Sequence, residues 1–272
     1  MNEDLKNLHK WLCLNKLTLN ASKTKYMIYS ISSRSANIPS ELSVTIDNDP
    51  IERVENYTFL GIKINQYLSW KHHMSDILSK IQRNLGIVRK IARFLDRHSL
   101  FQLYHSLIMS HIRNGIVVWF HSHAATRKKI QACANKFLRM IFHLKPRDSV
   151  RTLMKENILL SVNQIYHLEV AKIMQKYTLK KIPSPFLEIF ESQIRTSRTR
   201  TRSASYLVPA SSSTQKCAQS IRSTGPQIWN ALPNDVRFLS SESIELSAQV
   251  PMPLKKFNVA MKRYAIENIS FH

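Results

Sequence analysis

Acidic residues are scarce in this sequence relative to basic ones. Eighteen Asp and Glu stand against 40 Lys and Arg, a formal charge of +22 and an isoelectric point near 10.1. An excess of that size favours a polyanionic partner, nucleic acid or an anionic membrane surface. Cysteine is scarce as well. Cys13, Cys133 and Cys217 show no Cys-x-x-Cys spacing and cannot all pair with one another, so no disulfide framework is expected and a reducing, intracellular compartment suits the chain. Long apolar runs are missing. The most apolar stretch, Leu107 to Phe120, is short and is broken by His111 and Arg113, which argues against a membrane span. The N-terminus carries Glu3 and Asp4 and no apolar run of the secretory kind. What is present argues against disorder: 43% of residues are hydrophobic, with four Trp and eleven Phe, enough for a core in one or two domains.

The positive charge is concentrated. Between Gly61 and Arg147 sixteen Lys and Arg face only Asp76 and Asp96, a local charge of +14. The stretch that organises the rest runs from Glu55 to Leu95. Tyr57 and Phe59 alternate on one face, then Leu60, Ile62 and Ile64 on the other, and the phase breaks beside Gly61. A bulge or tight bend at that glycine is expected. An amphipathic helix follows, with Trp70, Met74, Ile77, Leu78, Ile81, Leu85, Val88, Ile91 and Leu95 at helical spacing. Its other face carries Lys71, His72, Lys80, Arg83, Arg89, Lys90 and Arg93. A bent hairpin followed by a basic helix would hold a polyanion in the angle between them.

Elsewhere the pattern is mostly helical. Asn2 is a candidate N-cap, with Leu5, Leu8, Trp11 and Leu12 as an inward stripe ending near Asn15. Leu42 to Val54 reads as a hairpin turning at Asp47-Asn-Asp-Pro50, and turn chemistry explains its two aspartates better than metal binding does. Asp96 to Ser99 starts a helix whose inward stripe is Leu100, Leu103, Tyr104, Leu107 and Ile108, and Gly115 is expected to bend or stop it. Thr126 is expected to cap the next helix, which turns Ile130, Cys133, Ala134, Phe137, Leu138 and Ile141 inward and Arg127, Lys128, Lys129, Lys136 and Arg139 mostly outward. His121-x-His123 with Cys133 is more simply core and surface than a zinc site. Asp148 and Ser161 mark further helix starts, the latter a capping box with Gln164. Its helix runs to about Leu179, and Pro183 and Pro185 are expected to end it. From Gln193 to Ser220 the composition turns to Arg, Ser and Thr, a basic linker without fixed structure.

Several motifs taken together resemble one family. Asn15-Lys-Leu-x-Leu-Asn-x-x-Lys23-Thr24, Tyr57-Thr-Phe59-Leu60-Gly61-Ile62 with Leu68-Ser-Trp70 and His73, Asn114-Gly-x-x-x-Trp119, Ile130-Gln-x-x-x-Asn-x-x-Leu-Arg139 and Gly225-x-x-x-Trp229-Asn-x-Leu-Pro233 are similar, in order and spacing, to the C-terminal part of reverse transcriptases of jockey-like non-LTR (LINE-type) retrotransposons. Asn114 stands where a tyrosine is usual. The resemblance covers roughly residues 3 to 265. It implies the end of a palm, a thumb and a C-terminal region of an RNA-directed DNA polymerase. Phe59-Leu60-Gly61 would be the primer grip, the basic helix the start of the thumb, and Lys23 a lysine near the incoming nucleotide's phosphates, a candidate general acid for pyrophosphate.

The fold expected on this basis is α+β, mainly α. A small N-terminal antiparallel β region forms the palm remnant (1–68), followed by a thumb-like basic helical bundle (69–145) and a helical extension (146–193). A basic flexible linker (194–220) then leads to a C-terminal helical segment (221–272). One departure limits the functional expectation: the sequence contains no Asp-Asp pair. The family polymerises with Mg ions held by aspartates, so a chain that grips primer and template without catalysing synthesis is expected, with no cofactor of its own and the upstream half of a polymerase as a possible partner. Read without the resemblance, the same residues describe a stand-alone, non-catalytic basic protein binding RNA or DNA, or an interaction protein with incidental charge. The N-terminal hairpins are expected to be its least stable part.

Overall fold

The computed structural model describes residues 2–20, 23–30, 43–46, 49–191, 207–211, 213–238 and 251–269, and it divides into two compact units, Met1–Ser75 and Asp76–His272. It is α+β and mainly α, with strands confined to two-stranded pairings.

The first unit begins with α1 (Asn2–Leu14). Asn2 does not cap it but lies inside it, donating from its side-chain amide to the Ser43 carbonyl (3.2 Å). Three short ladders follow. β1 (Lys25–Tyr26) pairs with β4 (Glu52–Arg53) in parallel, whereas β2 (Thr45–Ile46) with β3 (Asp49–Pro50), and β5 (Asn56–Phe59) with β6 (Ile62–Asn65), are antiparallel. The turn residues Asp47 and Asn48 lie outside the described residues. Val44, Ile46 and Ile51 form a small core on which Leu5, Leu19 and Tyr26 pack. Leu8 and Trp11, expected to face inward, are exposed, Trp11 by 55%. A core of three aliphatic side chains is too small to receive a whole helix face.

The second unit is organised by the helix expected after Ser161, which runs over Val162–Thr178. α2 (Lys71–Ile91) crosses the division between the units and ends four residues short of Leu95, in a single 3₁₀ turn over Ala92–Phe94. Then come α3 (Arg97–Tyr104), a π-helical turn over His105–Met109, α4 (Ser110–Arg113), α5 (Ile116–Trp119) and α6 (Ala124–Ile141). Asp96 caps α3 through the N–H groups of His98 and Ser99. Gly115 breaks the helix as expected, at φ 62°. α6 starts two residues before Thr126, which sits in its first turn with its N–H on the His123 carbonyl, so Thr126 is no cap. Asp148 starts no helix either. Its carboxylate takes the Lys145 N–H (2.8 Å) and closes a turn, and α7 (Arg151–Glu156) begins after Val150.

α8 (Val162–Thr178) opens with the expected Ser161–Gln164 capping box and is the hub. Ten of its seventeen residues are buried, among them Gln164, Tyr166 and Gln175, and α4, α5, α6 and two later helices pack on it. Pro183 and Pro185 do not terminate it. They open α9 (Ser184–Glu191), Phe186 N–H bonding the Pro183 carbonyl, as suits prolines at a helix start. The expected linker lies mostly outside the described residues, its arginines 195, 198, 200 and 202 included. Within it Leu207 is buried and α10 (Gln215–Ala218) forms a turn of helix.

α11 (Ile221–Ala231), α12 (Asn234–Arg237) and α13 (Leu254–Asn268) complete the unit. Gly225 lies where α11 meets α8: a Cβ there would stand 2.7 Å from Met174 Sδ. Trp229 and Leu232 are buried anchors, Trp229 against Phe257 of α13. Two glutamines of α8 hold the last segment. Gln175 donates to the Met252 carbonyl, and Gln164 to the carbonyls of Ala265 (2.8 Å) and Ile269 (3.1 Å).

Candidate nucleic-acid interface

The Phe-Leu-Gly element forms the tip of the β5–β6 hairpin. Phe59 pairs with Ile62 across a two-residue turn made by Leu60 and Gly61, both left-handed at φ 48° and 80°. That is the pattern of a type I′ turn, whose hand matches strand twist. The expected split of faces is corrected by this register. Directly paired residues share a face, so Tyr57, Phe59, Ile62 and Ile64 lie together, and the shift of phase comes from a two-residue turn rather than a bulge. Gly61 takes its positive φ freely; Leu60 takes it at a cost of about 1 kcal/mol. The strained leucine is 79% exposed and Phe59 58%.

Behind the hairpin the first turn of α2 is fixed by a buried histidine. His73 Nδ1 accepts the Lys63 N–H (3.3 Å), and Ser69 N–H bonds the Asn65 side chain (2.7 Å). A recess of about 310 Å³ lies between hairpin and helix start, lined in part by Tyr57, Lys63 and His72. Of the residues expected to bind nucleic acid, His72 alone lines it.

Along α2 the buried apolar residues are Met74, Ile77, Ile81 and Val88, while Lys71, His72, Lys80, Arg83, Arg89 and Lys90 are exposed. They do not form one row. At 3.6 residues per turn, Lys80, Arg83 and Lys90 fall within about 80° of each other, while Lys71 and Arg89 lie roughly 100° or more away on the opposite flank. Asp76, the sole acid of the helix, stands one turn before Lys80 on the same side. Arg93 lies beyond the helix proper, its guanidinium 4.6 Å over the Phe94 ring.

Lys23 is exposed in a turn that Asn20 closes. The Lys23 N–H reaches the Asn20 side-chain and main-chain oxygens, and the Thr24 hydroxyl donates to the Asn20 carbonyl (2.9 Å). His121 proves to be a half-buried polar group, while His123 is exposed. The Thr224 hydroxyl donates to Ser220, Tyr166 donates to Thr224 (3.1 Å), and His121 Nε2 meets the Tyr166 hydroxyl (2.8 Å), which assigns its proton to Nε2. Burial, Arg127 and His167 hold the imidazole below its usual pKa. Among the described residues no group of three His, Cys, Asp or Glu could hold a metal ion. No described helix is long and apolar enough to cross a membrane.

Sequence reasoning missed two features. One is the cleft along α6, whose cations were read only as an outward face although Arg127, Gln131, Asn135 and Arg139 recur every four residues. The other is Asn230, whose side chain captures the backbone of Leu207. Compared with known proteins, the chain matches no family model, no curated protein and no solved structure.

Proposed function

We propose that this chain is the primer- and template-gripping C-terminal part of an RNA-directed DNA polymerase of the jockey-like non-LTR kind, and that it does not catalyse synthesis by itself. The observation that carries the reading is the hairpin tip, where an exposed leucine is held in a backbone conformation that disfavours it. Strain of this kind persists where function demands it, and the tip coincides with the Phe-Leu-Gly motif of the resemblance. Phosphate contact falls to the Lys80, Arg83 and Lys90 stripe of α2, an exposed row spanning about 15 Å of helix axis. Polymerisation by two metal ions needs paired carboxylates. The chain has no Asp-Asp pair, which also supports a coarser second reading, a non-catalytic basic module for RNA or DNA.

The test is binding of an RNA–DNA primer-template as a function of salt. The variant Lys80→Glu/Arg83→Glu/Lys90→Glu is expected to make the slope of log K against log salt shallower by about 2 to 3, close to one per lost phosphate contact. Lys71→Glu/Arg89→Glu, on the other flank, should change it by less than about 1. Equal losses in the two variants would refute the stripe, and salt-independent binding would refute the phosphate footprint altogether.

A further inference from the structure

α6 meets the turn before α7 and the start of α8 around a cleft of about 430 Å³ that the grip on primer and template does not use. Its lining carries Arg127, Lys128, Arg139 and Arg151 and no carboxylate. Asp148 stands close by but is engaged: its side chain takes the Lys145 N–H, and its carbonyl takes Arg139 Nε (2.9 Å). Four cations around one cavity with no lining acid describe a place for an anion, and guanidinium groups match phosphate oxygens in pairs.

Two of the four cations, Arg127 and Arg139, are held in place rather than loose. Arg127 donates to the Phe120 carbonyl (2.5 Å) and lies 4.3 Å over the Phe120 ring, which itself stacks on Tyr166 at 3.9 Å. Arg139 is tethered through Nε alone, and its terminal nitrogens make no hydrogen bond among the described residues. A fixed fork with its outer donors unused is a prepared phosphate contact.

Charge is not all that the cleft presents. Gln131, Asn135 and Asn163 add amides, which donate and accept in the manner of base edges. Gln131 is itself positioned, accepting the Val162 N–H (2.7 Å) and donating to Asn135 Oδ1 (2.7 Å). Ala132, Val150 and Val162 supply an apolar surface between the amides and the arginines. Apolar surface, convergent amides and a cationic rim in a volume of this size fit a planar heterocycle joined to phosphate better than they fit a bare anion.

We propose that this cleft binds one nucleotide, with the phosphate on the arginines of α6 and α7 and the base against Ala132 and the amides. The ligand is a free mononucleotide or the terminal unit of a strand; the chemistry is shared. This site is separate from the α2 stripe, and neither depends on the other.

The experiment is a titration of the full chain with a fluorescent ATP analogue, displaced by unlabelled ATP, adenosine, pyrophosphate and a 5′-phosphorylated RNA hexamer. Saturable binding of one ATP per chain is expected, with adenosine and pyrophosphate each at least about tenfold weaker. Displacement by the hexamer at lower concentration than by ATP assigns the site to a strand end, and the reverse assigns it to a free nucleotide. Ala132→Trp, an exposed position on the cleft wall, should weaken ATP by about tenfold or more, and Lys128→Glu by several-fold. Lys129→Glu, the same charge change one residue along but outside the lining, should leave binding within twofold, as should Lys80→Glu/Arg83→Glu/Lys90→Glu. Absence of saturable binding at millimolar ATP, pyrophosphate equal to ATP, or equal losses for Lys128→Glu and Lys129→Glu would overturn the proposal. Loss of ATP binding in the α2 variant would overturn the independence of the two sites.

Discussion

Asn230 and the backbone of Leu207 make a matched pair: the Asn230 Oδ1 accepts the Leu207 N–H (3.1 Å) and its Nδ2 donates to the Leu207 carbonyl (2.6 Å). A side-chain amide here does what a neighbouring strand would do, pairing both main-chain groups of one residue. It gives the asparagine of the Trp-Asn-x-Leu-Pro element a physical task, docking the chain onto α11 where it emerges from the Arg-, Ser- and Thr-rich stretch. Asn230→Asp, which removes the donor and sets a carboxylate against a carbonyl, should cost about 1 to 3 kcal/mol. The check is hydrogen exchange at the Leu207 amide, which should speed up in the variant while exchange in α8 keeps its order.

The hairpin tip makes the opposite kind of prediction. Leu60→Asn creates Asn-Gly, the pair best suited to the turn observed, and should stabilise the hairpin by about 0.5 to 1 kcal/mol. The same change should weaken primer-template binding. A gain in the denaturant midpoint with unchanged binding would show that the exposed leucine plays no part in the grip.

At the α8–α11 contact, Gly225→Val should destabilise the second unit by about 1 to 3 kcal/mol through collision with Met174. Met174→Ala alone should also destabilise it, by leaving a cavity. Because each change relieves the other, the double variant should be more stable than the sum of the two losses requires. Strict additivity in urea unfolding would refute the close approach.

Stability should fall in mild acid. Burial is the leading cause that holds His105, His111, His121 and His167 below the ordinary histidine value of 6.5, assisted by Arg113 and Lys262 at His105, Lys80 at His111, and Arg127 and His167 at His121. At His167 the Asn163 carbonyl acts the other way. A depressed folded value means that the unfolded chain takes up protons first. Stability is therefore complete above about pH 6.5 and is lost as pH falls through that value towards the folded ones. His121→Gln, which keeps a donor for Tyr166, should reduce the slope of the denaturant midpoint between pH 6.5 and 5. A steeper slope would contradict it.

What could be read from residues alone was whatever depends on local chemistry. The Ser161–Gln164 box, the Asp96 cap and the break at Gly115 are each decided within four residues, and each stands in the structure. Helix starts without a capping side chain were misplaced, since Thr126 looks like a cap while His123, which precedes α6, makes no side-chain cap hydrogen bond. The helix over Val162–Thr178 was legible from the Ser161–Gln164 box, but its role as the hub was not. α8 is buried around most of its girth, with Gln164 and Gln175 inside, so its polar and apolar residues do not separate into the stripe that marked α2. The cations set the expectation of a polyanionic partner, but their row depends on turn angles and their cleft on residues from α7 and α8, about 20 positions downstream.

The two glutamines of α8 also bear on the order in which the protein is made. Gln164 and Gln175 leave the ribosome well before their acceptors at Met252, Ala265 and Ile269, which follow 77 to 105 positions later. Until then the hub lacks its last wall, so the nascent chain carries an open apolar seam for several seconds at ordinary elongation rates. Native assembly of the second unit is therefore a late event in synthesis, and chaperone contact should concentrate in that window.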